Sequence, residues 1–204
     1  MWSYDWEHSM EFVSVWLMGY VNPARMIENL RYKPAPLWGV YGQLARTVLD
    51  ALLLYVPLAL MGRSPSTPSC LTFLPTEGYY AASILLAPLV LMAQWLLLGA
   101  ILHVILRFLG RESDIDQILN ITGMSALVVG AFLVVWDWLW IGLGWANPTW
   151  LGISHLVVDI WGIVITVIGF RRLLGMPTGP AIALNLVWMI LGLPIAIVFV
   201  RAPV

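Results

Sequence analysis

Charge is what this 204-residue chain has least of: Asp, Glu, Lys and Arg together make up 10% of it, against about 25% in soluble domains. That excludes a water-exposed globular surface. Ten basic residues against eleven acidic ones leave a formal net charge of -1, so the basic footprint with which a nucleic-acid binder neutralises phosphates is missing. Cysteine occurs once, at Cys70, which excludes an intrachain disulfide and a thiolate pair for metal or redox work. No basic residue precedes the first apolar run and no small-residue cleavage site follows it, so the start is expected to be retained rather than removed as a signal peptide. Walker loops, Gly-x-Ser-x-Gly elbows, His/Glu metalloprotease motifs and Rossmann fingerprints are absent. The expectation is a non-enzymatic protein with no catalytic residue, no cofactor and no metal ligand. His103 and His155 fall near opposite membrane faces and cannot share one haem.

What is present in quantity is hydrophobicity, with 61% apolar residues and a mean hydropathy of +0.88. About 20 apolar residues in a helix cross the hydrocarbon core, and five stretches reach that length: 37–61, 80–106, 118–140, 150–170 and 181–200. The fold expected is an all-α integral membrane protein, five transmembrane helices preceded by a short interfacial or amphipathic N-terminal segment. That divides the chain into residues 1–36 and a membrane domain, 37–204. Outside the spans, Arg25, Arg31, Lys33, Arg107, Arg111, Arg171 and Arg172 fall on one side and only Arg63 and Arg201 on the other. The positive-inside rule then puts the N-terminus in the cytoplasm and the C-terminus outside.

Residues 12–21 are too few to cross a bilayer and too apolar for water, so they are expected to lie in the interface or to dock on the bundle or a partner, with Trp16 and Met18 among the contacts. Asn22-Pro23 reads as a helix start, an amide cap followed by proline at the first position. Met26, Ile27 and Leu30 then share a face that excludes Arg25, Glu28 and Arg31. This describes a short amphipathic helix on the cytoplasmic surface, ended by Pro34 and Pro36, with Arg25, Arg31 and Lys33 left toward headgroups or water. Residues 62–78, rich in Pro, Ser and Thr, read as a solvated connector, and Ser113 to Asp116 as a helix-capping box.

The order of these pieces resembles the Yip family, the Ypt/Rab-interacting membrane proteins, in its prokaryotic branch. The matching features are Asn22-Pro23 opening a short helix that closes at Pro34, the polar turn 110–117 feeding Ile118-Leu119-Asn120-Ile121-Thr122-Gly123, and Trp161 in the fourth span. Last comes the turn Leu173-Leu174-Gly175-Met176-Pro177-Thr178-Gly179-Pro180-Ala181 before the fifth. The resemblance implies a five-helix fold with a cytoplasmic N-terminus, in a prokaryotic inner membrane, and little chemistry. Eukaryotic members are linked to small GTPases and vesicle traffic. Their long acidic N-terminal region has no counterpart here, which turns the expectation away from a GTPase partner.

Ionisable groups within a span are costly and face protein or water. His155 and Asp159 lie roughly 7 and 14 Å below the outer surface, and Arg46 and Asp50 roughly 22 and 16 Å, at 1.5 Å of rise per residue. Residues four apart share a helix face, so each pair forms a polar stripe, and the stripes overlap in depth. One reading is an interhelical clasp, Arg46 or His155 against Asp50 or Asp159, each contact contributing about 1 kcal/mol. The other is a proton or substrate site in a midplane cavity. Asp137, within Trp136-Asp137-Trp138-Leu139-Trp140, reads as a residue of the aromatic belt with water close by. Asn120, Asn185 and Gln94 read as interhelical glue, and residues 126–130 and 162–169 as close-packing faces.

Two functions follow. The first is a membrane scaffold or accessory subunit working through membrane lipids and protein partners in the bilayer. The alternative is a small transporter or proton-coupled channel using Arg46, Asp50, His155 and Asp159. Water reaching those side chains distinguishes the second from a dry, fully paired clasp.

Overall fold

The computed structural model describes residues 3–33, 35–68, 70–71 and 73–203, with side chains from residue 11 onward. Among the described residues every regular element is helical: α1 (Ser3–Val21), α2 (Pro23–Leu30), α3 (Leu37–Asp50), α4 (Val56–Leu60), α5 (Tyr79–Phe108), α6 (Ile115–Gly142), α7 (Pro148–Leu173) and α8 (Thr178–Phe199). A π-helical turn, Ala51–Tyr55, joins α3 to α4 in one rod. Five rods are long and apolar enough to span a membrane: Leu37–Leu60, Thr76–Phe108, Ile115–Gly142, Pro148–Leu173 and Thr178–Phe199.

Local chemistry sets where the rods begin. The Asn147 side chain accepts the Trp150 N–H at 3.1 Å, with Pro148 in the first position, so α7 starts before its apolar run. At α6 the cap is Asp114, whose carboxylate accepts the Asp116 and Gln117 N–H groups at 2.9 and 3.3 Å. The capping box expected on Ser113 is therefore displaced by one residue; the Ser113 hydroxyl instead meets His103 Nδ1 at 3.0 Å.

Glycines let α3 and α6 touch backbone to backbone. A Cβ on Gly39 would strike the Leu119 carbonyl and the Asn120 backbone, and one on Gly42 the Gly123 carbonyl. Pro36, at the N-cap of α3, has no side-chain oxygen with which to cap the helix. Asn120 does this from α6: its Oδ1 accepts the Gly39 N–H at 2.8 Å while its Nδ2 donates to the Ala35 carbonyl at 2.9 Å. On α7, Gly162 and Gly169 instead make room for side chains of α6, those of Val129 and Ile121. Pro57 lacks an N–H, which strands the Leu53 carbonyl four residues earlier. The Trp138 indole N–H donates to that carbonyl at 2.7 Å, and the π-turn absorbs the local irregularity.

Of the arrangements expected for the N-terminal segment, docking on the bundle is the one observed, and it reaches beyond the surface. α1 and α2 form a hairpin against the flanks of α6 and α7, with Asn22 at its turn. The Tyr20 hydroxyl donates to the Val128 carbonyl at 2.8 Å, and the Trp161 indole to the Gly19 carbonyl at 3.1 Å. Val128 stands roughly 20 Å along α6 from its Ile115 end, so the turn reaches the middle of that helix. Gly19 permits the approach, because a Cβ there would collide with Val128. Val15, Met26, Ile27 and Leu30 are buried, and Trp16 and Met18 pack against the same core. Of the basic residues expected to face headgroups or water, Arg25 and Arg31 are exposed, Arg31 also bonding Glu28 and the Arg172 carbonyl, whereas Lys33 is turned inward to pair with Glu11 and lies 4.3 Å from the Trp38 ring centre. α2 ends at Leu30; the expected stop at Pro34 lies outside the described residues.

Candidate functional site

Two apolar cores divide the bundle along its length. One joins the hairpin to Trp38, Leu102, Ile121, Ile165 and Leu184. The other, at the opposite end, joins Leu54, Tyr55 and Leu58 to Tyr79, Tyr80 and Ala87. Between them lies a cavity of about 360 Å³, lined from all five spans, within the size range of small-molecule sites. Its walls carry Arg46 and Gln43 from α3, Gln94 from α5, Ser125 from α6, Asp159 from α7 and Asn185 from α8.

The structure brings together the four ionisable residues singled out in the sequence, in an arrangement unlike the expected clasp. Arg46 extends along α6 in the space left by Gly130 and reaches its own helix neighbour Asp50 at 3.3 Å. His155 Nε2 meets Asp137 Oδ1 at 2.8 Å. Asp137 is thus a buried acid, 5% exposed, and its reading as a belt residue beside water is corrected. Its tryptophan neighbours signal the interface, whereas the carboxylate itself turns inward to α7. Asp159 is left without a hydrogen bond or ion pair among the described residues, with His155 and Arg46 as the charges that act on it.

The amides around the cavity have one allowed orientation each. Gln43 Nε2 donates to the Leu91 carbonyl at 3.2 Å and Gln94 Nε2 to the Gly192 carbonyl at 3.3 Å; a carbonyl only accepts, so nitrogen must face it. Asn185 Nδ2 donates to the Thr166 hydroxyl and lies 3.5 Å from the Ile163 carbonyl. Thr166 in turn bonds the Gly162 and Ile163 carbonyls, each at 3.0 Å. These bonds join α5 to α8 and α8 to α7, as expected of Gln94 and Asn185 as interhelical glue. Gln94 Oε1 is buried without a partner among the described residues.

The sequence pattern of the Yip1 domain matches residues 18–200 of the chain. The chain belongs to the Yip1 domain family. Neither curated proteins nor solved structures give a match. The family consists generally of non-enzymatic membrane proteins. In this Yip1 domain the match takes in α2 and all five spans, while most of α1 precedes it. Trp161, one of the residues carrying the earlier resemblance, is the one that holds the hairpin turn through Gly19. Among the described residues, no three His, Cys, Asp or Glu side chains are grouped to hold a metal ion.

Proposed function

We propose that this Yip1-domain membrane protein binds a small solute inside its helix bundle and works as a carrier or proton-coupled channel. One observation carries the reading: the largely apolar cavity between the two cores contains an acid, Asp159, with no hydrogen bond or ion pair among the described residues. A clasp that served only to hold helices would pair its charges, since an unpaired charge away from water is strongly unfavourable. Here the pairing stops short of Asp159. The orientation that goes with the proposal is N-terminus cytoplasmic and C-terminus external in a prokaryotic inner membrane. The charge asymmetry supports it, because Arg31 and Arg172 meet at one end of the bundle and Arg201 holds the Pro68 carbonyl at the other.

The single cysteine makes the test direct. In a Cys70→Ser background, Asp159→Cys and Ala126→Cys should react with a membrane-impermeant thiol reagent in sealed vesicles, because water reaches the cavity. Unreactive thiols at both positions would mark a dry interior and return the assignment to a scaffold. Reporter fusions at both ends should place them on opposite sides of the membrane.

A scaffold or accessory-subunit role draws on a different observation. The spanning windows of α7 and α8 are each only 17% buried, which leaves broad apolar faces for lipid or for a protein partner in the bilayer. Purification in mild detergent that yields a reproducible hetero-complex would favour that role.

A further inference from the structure

We infer that the cavity takes an organic cation, an ammonium group with N–H donors on a small apolar body, seated on Asp159. This rests on the cavity being the working site and deepens that reading by fixing its chemistry. Charge points the same way as hydrogen bonding. Arg46 is ion-paired with Asp50 at 3.3 Å, so the carboxylate in the lining with no ion pair or hydrogen bond of its own among the described residues is Asp159, on which Arg46 and His155 act only through space. An anion would meet repulsion there, and a neutral solute would leave that carboxylate without a counter-charge.

Apart from the Arg46 guanidinium, which is directed to Asp50, the hydrogen-bonding groups of the lining have their donors engaged. The NH₂ groups of Gln43 and Gln94 are taken by backbone carbonyls and that of Asn185 by Thr166, so the amides in the lining have their donors turned to protein rather than to a ligand. The Trp95 indole N–H is held by the Thr122 hydroxyl, and Thr122 and Ser125 both direct their hydroxyls at backbone carbonyls. A ligand rich in donors fits this surface. Size separates an organic cation from a bare alkali ion, which would leave most of about 360 Å³ unfilled. The remaining wall, with Trp188 and Met189, offers apolar contact and an aromatic face to a cation. The same ammonium can arrive as a dissolved amine or as the headgroup of an aminophospholipid.

The test uses the full-length protein in nanodiscs of phosphatidylcholine, whose headgroup has no N–H, with benzylammonium, benzoate and benzyl alcohol titrated by calorimetry. Benzylammonium should bind and the other two should not. Asp159→Asn should weaken binding by about tenfold or more, while Asp159→Glu, with unchanged thermal stability, should retain it. If adding phosphatidylethanolamine lowers the apparent affinity, the natural source is the lipid headgroup; an unchanged affinity assigns it to the dissolved amine. Benzylammonium bound equally well by Asp159→Asn overturns the inference. Binding of benzoate or benzyl alcohol that is abolished by Ala196→Phe, a substitution into the cavity wall, would refute the cation while sparing the cavity. If no probe binds to any form, the cavity reading falls as well.

Discussion

Replacing Asn120 with Ala removes a cap that belongs to a different helix from the one it serves. Gly39 is the third residue of α3, so its N–H has no acceptor within the helix. It is buried, and Asn120 Oδ1 at 2.8 Å is what satisfies it. Leaving a buried N–H unsatisfied costs about 1–3 kcal/mol. Ala35 is exposed, so its carbonyl exchanges Asn120 Nδ2 for water at little cost. With the lost packing of a side chain that is 0% exposed, the total comes to roughly 2–3 kcal/mol. Ordinary interhelical hydrogen bonds in membranes average only about 0.6 kcal/mol, so the two accounts are separable. Reversible unfolding in mixed micelles measures the difference. A loss near 0.6 kcal/mol would show that Asn120 is one polar contact among many and would falsify the capping argument.

Trp138→Phe should cost about 1 kcal/mol by stranding the Leu53 carbonyl, and much less in a Pro57→Ala background where residue 57 supplies its own N–H; strict additivity in that double-mutant cycle would contradict the account. Asp137→Ala should destabilise the bundle by about 1–3 kcal/mol through the orphaned His155, and Asp137→Asn, which keeps an acceptor, by less; equal losses by thermal unfolding would mean the bond at His155 is immaterial. Burial raises the Tyr20 phenol above its ordinary value of 10.0. Because the protonated form is the one favoured by the fold, its contribution is complete below that value and lost as pH rises through the folded one. Thermal unfolding in detergent should therefore show the parent chain losing stability above about pH 10, with no such loss in Tyr20→Phe.

The five rods were legible because twenty apolar residues in a row have few alternatives to a membrane. The charge pairs were partly legible, since Arg46 and Asp50 four apart on a helix must share a face. The partner of His155 was not. A linear pattern places Asp137 among tryptophans at the interface, and only the rotation of α6 against α7 decides that its carboxylate points inward. The hairpin was hidden for a related reason: the hydropathy of residues 12–21 reports that they avoid water, not the depth at which they do so. The signal that could have revealed it is Gly19, which stands just before Asn22-Pro23 where a close backbone approach is needed. A midplane cavity was one of two readings open to Arg46 and Asp159, but its amide lining was not legible, because Gln43, Gln94 and Asn185 come from three helices and the orientation of each amide depends on partners contributed by neighbouring helices.

The hairpin also gives the molecule a taper. From its turn level with Val128 toward the Ile115 end of α6, the cross-section contains α1 and α2 beside the spans, whereas the half beyond the turn has no such addition among the described residues. A body wider in one leaflet than in the other displaces unequal areas of lipid in the two monolayers. In a flat bilayer that mismatch stores elastic stress, and bending toward the narrower end relieves it. Excising α1 and α2 would therefore alter the curvature at which this protein sits without strain, even where every span and every lining residue of the cavity stays in place.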